Sequence, residues 1–469
     1  VLGSGKGRLI SQFIAEAIIT AMLATLVSIL LLFILLPQFN ILIEKQLALR
    51  LIDPVHLGSL LGITLVCGLL AGWYPAFYLS SFKPVDAVKG VKSKDGSAKI
   101  IRKGLVVAQF AVSIIFIIST IIVYQQVQHV KSRNLGYEKE NLIKMNVNGD
   151  MVKNFIPIQN DMIASGMVEN VAMNNSEILS GGNNGSGLEW QGGTDTEDVL
   201  VSFRYVSSDF LKTAGMEMLE GRSFSDDISN DSTNILISES FAKLMGTGSA
   251  LGKTVTRNKS YTVIGVVKDY LYGDMYGQSD PVMYFNNPDY ARFMYIRTKS
   301  GVPMTKTLAA MESVMQTHNP AFPFEYEFVD DAFDAKFRSE KLIGNLSLLF
   351  ALLAIIISCL GLFGLSAYTA EQRRKEIGVR KVLGSSVTGI VRLLSQDFMR
   401  LVLLAILIAI PLAWWGMYRW LESFAYRIEI DWWVFALAGL VAVCIALLTV
   451  SFQALKAANA NPVKSLRAE

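Results

Sequence analysis

The chain has 469 residues, of which 52% are apolar, and 43 Lys and Arg nearly balance 40 Asp and Glu. This composition excludes collagen-like, disordered and disulfide-stapled proteins, and the near balance of charge gives no sign of a nucleic-acid partner. Six stretches contain no charged residue, and their lengths of 18 to 29 residues are close to or above the roughly 20 that a membrane-spanning helix needs. They are Ala17–Ile43, Pro54–Phe82, Gly104–Val130, Leu342–Ala370, Leu401–Tyr418 and Trp432–Leu455. The sequence predicts an α-helical integral membrane protein with six transmembrane helices.

The predicted elements follow in chain order. Transmembrane helices are expected at 13–37, 57–80, within 96–130, and at about 342–367, 399–421 and 432–455. The helix within 96–130 continues as an apolar stripe at Val123, Val127 and Val130, which favours a rigid stalk beyond the membrane; tilt followed by a loop is the alternative. Residues 131–341 mix strand patterns such as Tyr261–Val267 with helical patterns such as Met304–Gln316. We therefore predict one large α+β domain there.

The orientation follows from the short charged segments. Residues 1–16, 83–103, 371–400 and 456–469 hold 19 Lys and Arg against 7 Asp and Glu, whereas 44–53 and 419–431 hold 4 against 5. Positive charge near the ends of spans stays in the cytoplasm. The first group of segments is therefore predicted inside, and residues 131–341 outside, the cytoplasm.

An internal repeat relates the two ends of the chain. Val1-Leu-Gly-Ser4 recurs as Val382-Leu-Gly-Ser385, and Lys83-Pro84-Val85 corresponds to Asn461-Pro462-Val463. Each copy runs through two spans, but only the second copy is preceded by a further span and an outer domain. We expect residues 1–95 to be the end of a first permease half in a longer duplicated protein.

No residue pattern predicts catalysis, a metal or a cofactor. The three Cys and three His are scattered. Ser4-Gly5-Lys6-Gly7 resembles a phosphate-binding loop superficially, but it lacks the Ser or Thr after the lysine and a preceding strand. No ATP-hydrolysing site is recognisable in these residues, so we do not expect an enzyme.

The most specific motif is Glu371-Gln-Arg-Arg-Lys-Glu-Ile-Gly-Val-Arg-Lys-Val-Leu-Gly384, which follows the fourth span. It resembles the inner loop of MacB/FtsX-like ABC transporter permeases. The run Val206-Ser-Ser-Asp-Phe-Leu211 and Glu220-Gly-Arg-Ser-Phe224 is similar to the MacB-like periplasmic core domain. The duplicated four-span layout also looks like this family. On this resemblance 131–341 is the core domain and 342–469 is the FtsX-like permease domain.

The resemblance implies a mechanical function. A separate cytoplasmic ABC ATPase dimer would bind the inner loop and move the outer domain, in the inner membrane of a Gram-negative bacterium. Further partners implied are membrane lipid and a periplasmic adaptor or lipoprotein. The residues expected in the ATPase-coupling helix are Arg373, Glu376, Ile377, Gly378, Arg380, Lys381, Leu383 and Gly384.

Two alternatives remain from the residues alone. The inner loop could be an amphipathic helix that lies on anionic lipid. The whole chain could instead be a membrane sensor, whose outer domain binds a ligand and recruits a cytoplasmic partner.

Overall fold

The computed structural model of the protein describes residues 6–80, 96–191, 199–226, 231–383 and 385–458. The chain divides into two compact units. The helical unit comprises Val1–Ile122, Leu342–Trp415 and Asp431–Glu469, and the α/β unit comprises Val123–Lys341 and Gly416–Ile430. The predicted repeat segments Val1–Ser4 and 83–85, with 461–463, lie outside the described residues.

Six of the described helices are long and apolar enough to cross a membrane. They are α1 (Lys6–Ile43), α2 (Pro54–Ser80), α3 (Gly96–Lys131), α9 (Arg338–Gln372), α11 (Val387–Leu421) and α12 (Trp432–Ala458). The 36 residues of α3 extend about 54 Å, well beyond the roughly 30 Å of a hydrocarbon core. Helices α2 and α12 have 27 residues each.

Small residues allow the helices of the helical unit to approach closely. A Cβ added at Gly72 would lie 2.9 Å from Ala17 Cβ, and one at Gly68 would lie 3.0 Å from Ile18 Cα. Helices α1 and α2 also share a hydrogen bond of 2.8 Å between the Thr25 and Thr64 hydroxyls. Without a hydrophobic driving force in lipid, such close packing and polar contacts hold spanning helices together.

The α/β unit is built on one mixed sheet. Its described strands are β1 (Leu142–Asn146), β2 (Val168–Asn174), β3 (Asn184–Gly185), β4 (Glu189–Trp190), β5 (Val201–Val206), β6 (Met218–Gly221), β7 (Asn234–Ser238), β8 (Thr254–Thr256), β9 (Ser260–Val267), β10 (Val282–Asn286), β11 (Phe293–Thr298) and β12 (Glu327–Phe328). The order is β12-β1-β11-β2-β5-β10-β7-β9-β8-β4, with β3 on β5 and β6 on β9. The pairs β5–β10 and β7–β9 are parallel, and the other pairs are antiparallel.

Shorter helices cover this sheet. They are α4 (Phe155–Ala164), α5 (Phe210–Ala214), α6 (Glu239–Leu244), α7 (Met304–His318) and α8 (Val329–Ala335). One core cluster joins β1, β2 and β11 to α4 and α7, and a second joins β5, β7, β9 and β10 to α6. The third cluster gathers the C-terminal end of α3, α5, α8 and a group of buried tyrosines, and it lies at the junction described below.

The sequence patterns located most of these elements but not all. Helix α8 and five strands, β2, β3, β4, β6 and β8, were not predicted. The sequence also indicates a strand over Phe324–Phe328, which the structure reduces to Glu327–Phe328. Strand β2 is buried at six of its seven positions, although Glu169, Asn170 and Asn174 are polar. Neither an apolar run nor a regular alternation therefore marks it in the sequence.

Candidate coupling site

The inner-loop motif folds as a separate short helix. Helix α9 ends at Gln372, and helix α10 spans Arg374–Val382. At the corner between them, Arg373 Nη2 lies 2.9 Å from Asp397 Oδ2 of α11. Arg373 is thus engaged within the chain, and the ion pair joins the corner to the following helix.

One side of α10 faces the helical unit. Ile377 is only 5% exposed, and it packs against Ala454 of α12 and Val391 of α11. The sequence expected Ile377 to bury apolar area against a partner protein. The structure buries it inside the chain instead, where it orients the short helix.

The other side of α10 is open. Glu376, Val379 and Arg380 are exposed, and Leu383, directly after the helix, is 79% exposed. These positions are three, four and seven residues apart and therefore share one helical face. Glu376 and Arg380 form an ion pair of 2.8 Å along that face. Lys381 is half-buried, Gly378 lies within the helix, and Gly384 lies outside the described residues.

A second contact region lies within the α/β unit, where the loop between α11 and α12 meets the C-terminal end of α3. We call this loop the outer loop and the contact region the outer junction. Gln126 is fully buried, and its Nε2 donates to the Tyr426 carbonyl oxygen at 2.9 Å. The backbone N–H of Ile428 donates to Gln126 Oε1, also at 2.9 Å. One side-chain amide therefore satisfies a donor and an acceptor of the loop backbone, as a neighbouring strand would.

The Tyr426 side chain also holds this loop, through contacts of its ring with His129 and Arg133. Its ring stacks on His129 with centroids 4.4 Å apart, and the Arg133 guanidinium lies 4.5 Å from its centroid. Gln126 and His129 are three residues apart and share one face of α3, and Arg133 lies two residues beyond the end of that helix. The Tyr426 N–H donates to the Tyr276 carbonyl oxygen at 2.7 Å, which extends the junction into the domain.

Aromatic rings and an ion-pair cluster complete this junction. Phe424 lies against Tyr276 with centroids 4.4 Å apart, and Tyr276 meets Phe337 edge-on at 5.9 Å. Burial alone would raise the pKa of Asp334, but its ion pairs with Lys131 and Lys341 outweigh burial and hold that pKa below the usual range. Asp334 therefore links the end of α3 to the residues just before and at the start of α9.

This junction had only a faint signal in the sequence. Gln126 is a polar residue within the apolar stripe of Val123, Val127 and Val130, and such an interruption favours a specific hydrogen bond. Its partners, Tyr426 and Ile428, are about 300 residues away and carry no pattern that identifies them.

In the described ranges, no group of three or more His, Cys, Asp or Glu side chains could hold a metal ion. The side chain of Lys6 and the preceding residues are outside the described part of the chain.

Two family profiles match the chain. The MacB-like periplasmic core domain matches residues 104–314, and the FtsX-like permease C-terminal domain matches residues 348–462. The chain therefore carries a MacB-like periplasmic core domain followed by an FtsX-like permease C-terminal domain. It belongs to the MacB/FtsX-like family, as the inner-loop motif predicted.

Similar proteins carry the same family name. The chain is 27% identical over 293 residues to the macrolide export ATP-binding/permease protein MacB of Chromobacterium violaceum, which covers 58% of this chain and 44% of that protein. It is 22% identical over 213 residues to MacB of Neisseria gonorrhoeae, covering 41% of this chain and 32% of that protein. The chain therefore spans less than half the length of these relatives. The crystal structure of the periplasmic region of MacB from Actinobacillus actinomycetemcomitans aligns with 44% of this chain and 96% of that one, at 18% identity and a TM-score of 0.31.

Proposed function

We propose that this chain couples ATP hydrolysis by a separate cytoplasmic ATPase dimer to movement of its own α/β domain. The observation that carries the proposal is the shape of α10: a short helix anchored on one side by Ile377 and open on the other. A helix held in this way can transmit force, because its buried anchor resists displacement when a partner pushes on the open face.

The open face also suits a protein partner. Val379 and Leu383 offer apolar surface, and the Glu376–Arg380 pair lies between them. Apolar anchors beside a few charges are typical of specific interfaces, in which the charges set register and the apolar groups add affinity. Ile377 would position the helix, while Val379, Arg380 and Leu383 would contact the ATPase.

The outer junction supports the same function from the α/β unit. Gln126 and Asp334 fix the C-terminal end of α3, the outer loop and the segment before α9 to one another. A displacement of α3 or α9 would therefore move these linked residues together. The charge of the short segments supports placing α10 in the cytoplasm and the α/β domain in the periplasm, with the chain in the inner membrane.

The cargo follows only from the family. The relatives are named for macrolide export. For this chain, we propose handling of an exported compound, lipoprotein or envelope component, with a periplasmic adaptor or lipoprotein as a further partner. Movement of an outer domain accounts for this better than sensing, because the open face of α10 is small and rigidly anchored.

The test uses substitutions on the open face, which leave the packing of α10 intact. Arg380→Glu and Leu383→Asp should each remove the ABC ATPase that co-purifies with the tagged chain from its native membrane. Leu383→Asp changes the net charge by one and Arg380→Glu by two, so an equally complete loss of the ATPase in both variants favours protein docking over attraction to anionic lipid.

Arg400→Glu is the matched control. Arg400 is an exposed arginine of α11, and its reversal changes the net charge as much as Arg380→Glu does. We expect this variant to retain the ATPase. If the Arg380 and Leu383 variants insert into the membrane and still hold the ATPase at the level of the unmodified chain, α10 is not the coupling site.

A further inference from the structure

A groove opens between α11 and α12 near the ends that we place at the cytoplasmic face. Its volume is about 540 Å³. Its walls are almost entirely apolar, and the residues that line it are Val391, Arg392, Ser395, Gln396, Met399, Leu447, Ser451 and Leu455. Positions 391, 395 and 399 of α11, and 447, 451 and 455 of α12, recur every four residues. The groove therefore follows one face of each helix for about 12 Å.

Ser395 lies in the wall of this groove with its hydroxyl turned away from the open space. Its side chain is 8% exposed, and its Oγ is buried without a hydrogen-bond partner among the described residues. The groove therefore stays apolar at this position, and any polar contact to a ligand must come from its end.

Arg392 gives the groove a positive charge at one end. It is exposed, and it forms no ion pair with any described residue. Asp397, the nearest acidic residue along α11, is paired with Arg373. Lys456 follows the lining residue Leu455 and adds a second exposed basic group at the same end. The groove is thus basic at its cytoplasmic end and apolar towards Met399 and Leu447.

We infer that this groove binds an anionic glycerophospholipid of the inner leaflet. Its phosphate would pair with Arg392, and an acyl chain would lie along Met399 and Leu447. The inference rests on the proposed orientation in the membrane, because a bilayer supplies this kind of molecule at that depth. A lipid meets both the charge and the apolar length of the groove, whereas a free phosphate would meet only the charge.

The lipid would also support α10. Val391 lines the groove, and it packs against Ile377, the anchor of α10. An acyl chain in the groove would fill the space behind Val391 and hold the anchor in place. The groove is therefore a lipid-binding site that stabilises the position of the coupling helix.

The test is lipid binding by the full chain, measured without any ATPase. Native mass spectrometry would count lipids retained after titration with phosphatidylglycerol or with phosphatidylcholine. We expect tighter retention of phosphatidylglycerol, and about five-fold weaker retention in Arg392→Gln, which corresponds to about 1 kcal/mol for one basic residue. Ser451→Leu should fill the groove and displace the lipid with all charges unchanged.

Arg400→Gln removes the same charge from α11 outside the groove, and it should leave retention unchanged. Equal losses in Arg392→Gln and Arg400→Gln would mean a general charge effect and overturn the site. Retention unaffected by Ser451→Leu would overturn it as well. Cross-linking of two chains through Ser451→Cys, with no lipid retained, would assign the groove to a second copy instead. Because no ATPase is present, loss of the coupling function would not change these results.

Discussion

Gln126 provides the most direct test of the outer junction. It is fully buried, and its amide forms two hydrogen bonds to the loop backbone, one to the Tyr426 carbonyl oxygen and one from the Ile428 N–H. Gln126→Ala removes the amide and leaves a backbone donor and a backbone acceptor without partners. A fully buried polar group that loses its partner costs about 1–3 kcal/mol. These two hydrogen bonds are part-buried, so we take about 1–2 kcal/mol for each and expect the loop to be destabilised by about 2–4 kcal/mol.

This free energy determines how often the loop opens. Since each 1.4 kcal/mol is a factor of ten in an equilibrium constant, the amide of Ile428 should exchange with solvent about 30 to 1,000 times faster in Gln126→Ala. Hydrogen exchange with mass spectrometry on peptides that cover the outer loop measures this directly. Gln126→Glu should also accelerate exchange, because a carboxylate accepts from Ile428 but cannot donate to the Tyr426 carbonyl.

Gln128→Ala is the matched control, because Gln128 is exposed on the same helix two residues away. It should leave exchange in the loop unchanged. If Gln126→Ala leaves the Ile428 backbone amide as protected as in the unmodified chain, the Gln126 side chain does not fix the loop. The other contacts of Tyr426 must then hold it.

Two further predictions concern pH and topology. Burial would raise the pKa of Asp231, but Arg222, the Ser225 N–H and Asn234 outweigh burial and lower it to about 2. The resulting stability is present above the usual carboxyl pKa and is lost as pH falls from about 4 to 2. Asp231→Asn should therefore lower the free energy of unfolding by about 2 kcal/mol at pH 7 and weaken the dependence of stability on pH in acid, followed by circular dichroism. An unchanged acid transition would contradict this assignment. For topology, single cysteines at Ser186 and Ser385 in a cysteine-free chain are treated with an impermeant thiol reagent in intact spheroplasts. Position 186 should be labelled and position 385 should not. Labelling of position 385 but not 186 would reverse the proposed orientation.

The sequence alone was sufficient to predict the six long apolar helices and the family. Uncharged runs of about 20 or more residues have few stable alternatives to a spanning helix, because every backbone polar group in lipid must be paired within the element. The inner-loop motif pointed to the family through the order of its charges and glycines over Glu371–Gly384. The core domain was recognisable only in part, since a strand such as β2 is buried on both faces and lacks alternation.

The tertiary structure decided which residues of the inner loop are exposed and which pack against other helices of the same chain. Helical spacing places Ile377 and Arg380 close together on α10, but only the position of Ala454 shows that Ile377 is buried while Arg380 faces outwards. The pairing of Gln126 with Tyr426 and Ile428 joins residues about 300 positions apart. Local propensities carry no information about such contacts, because they form only when distant segments pack together.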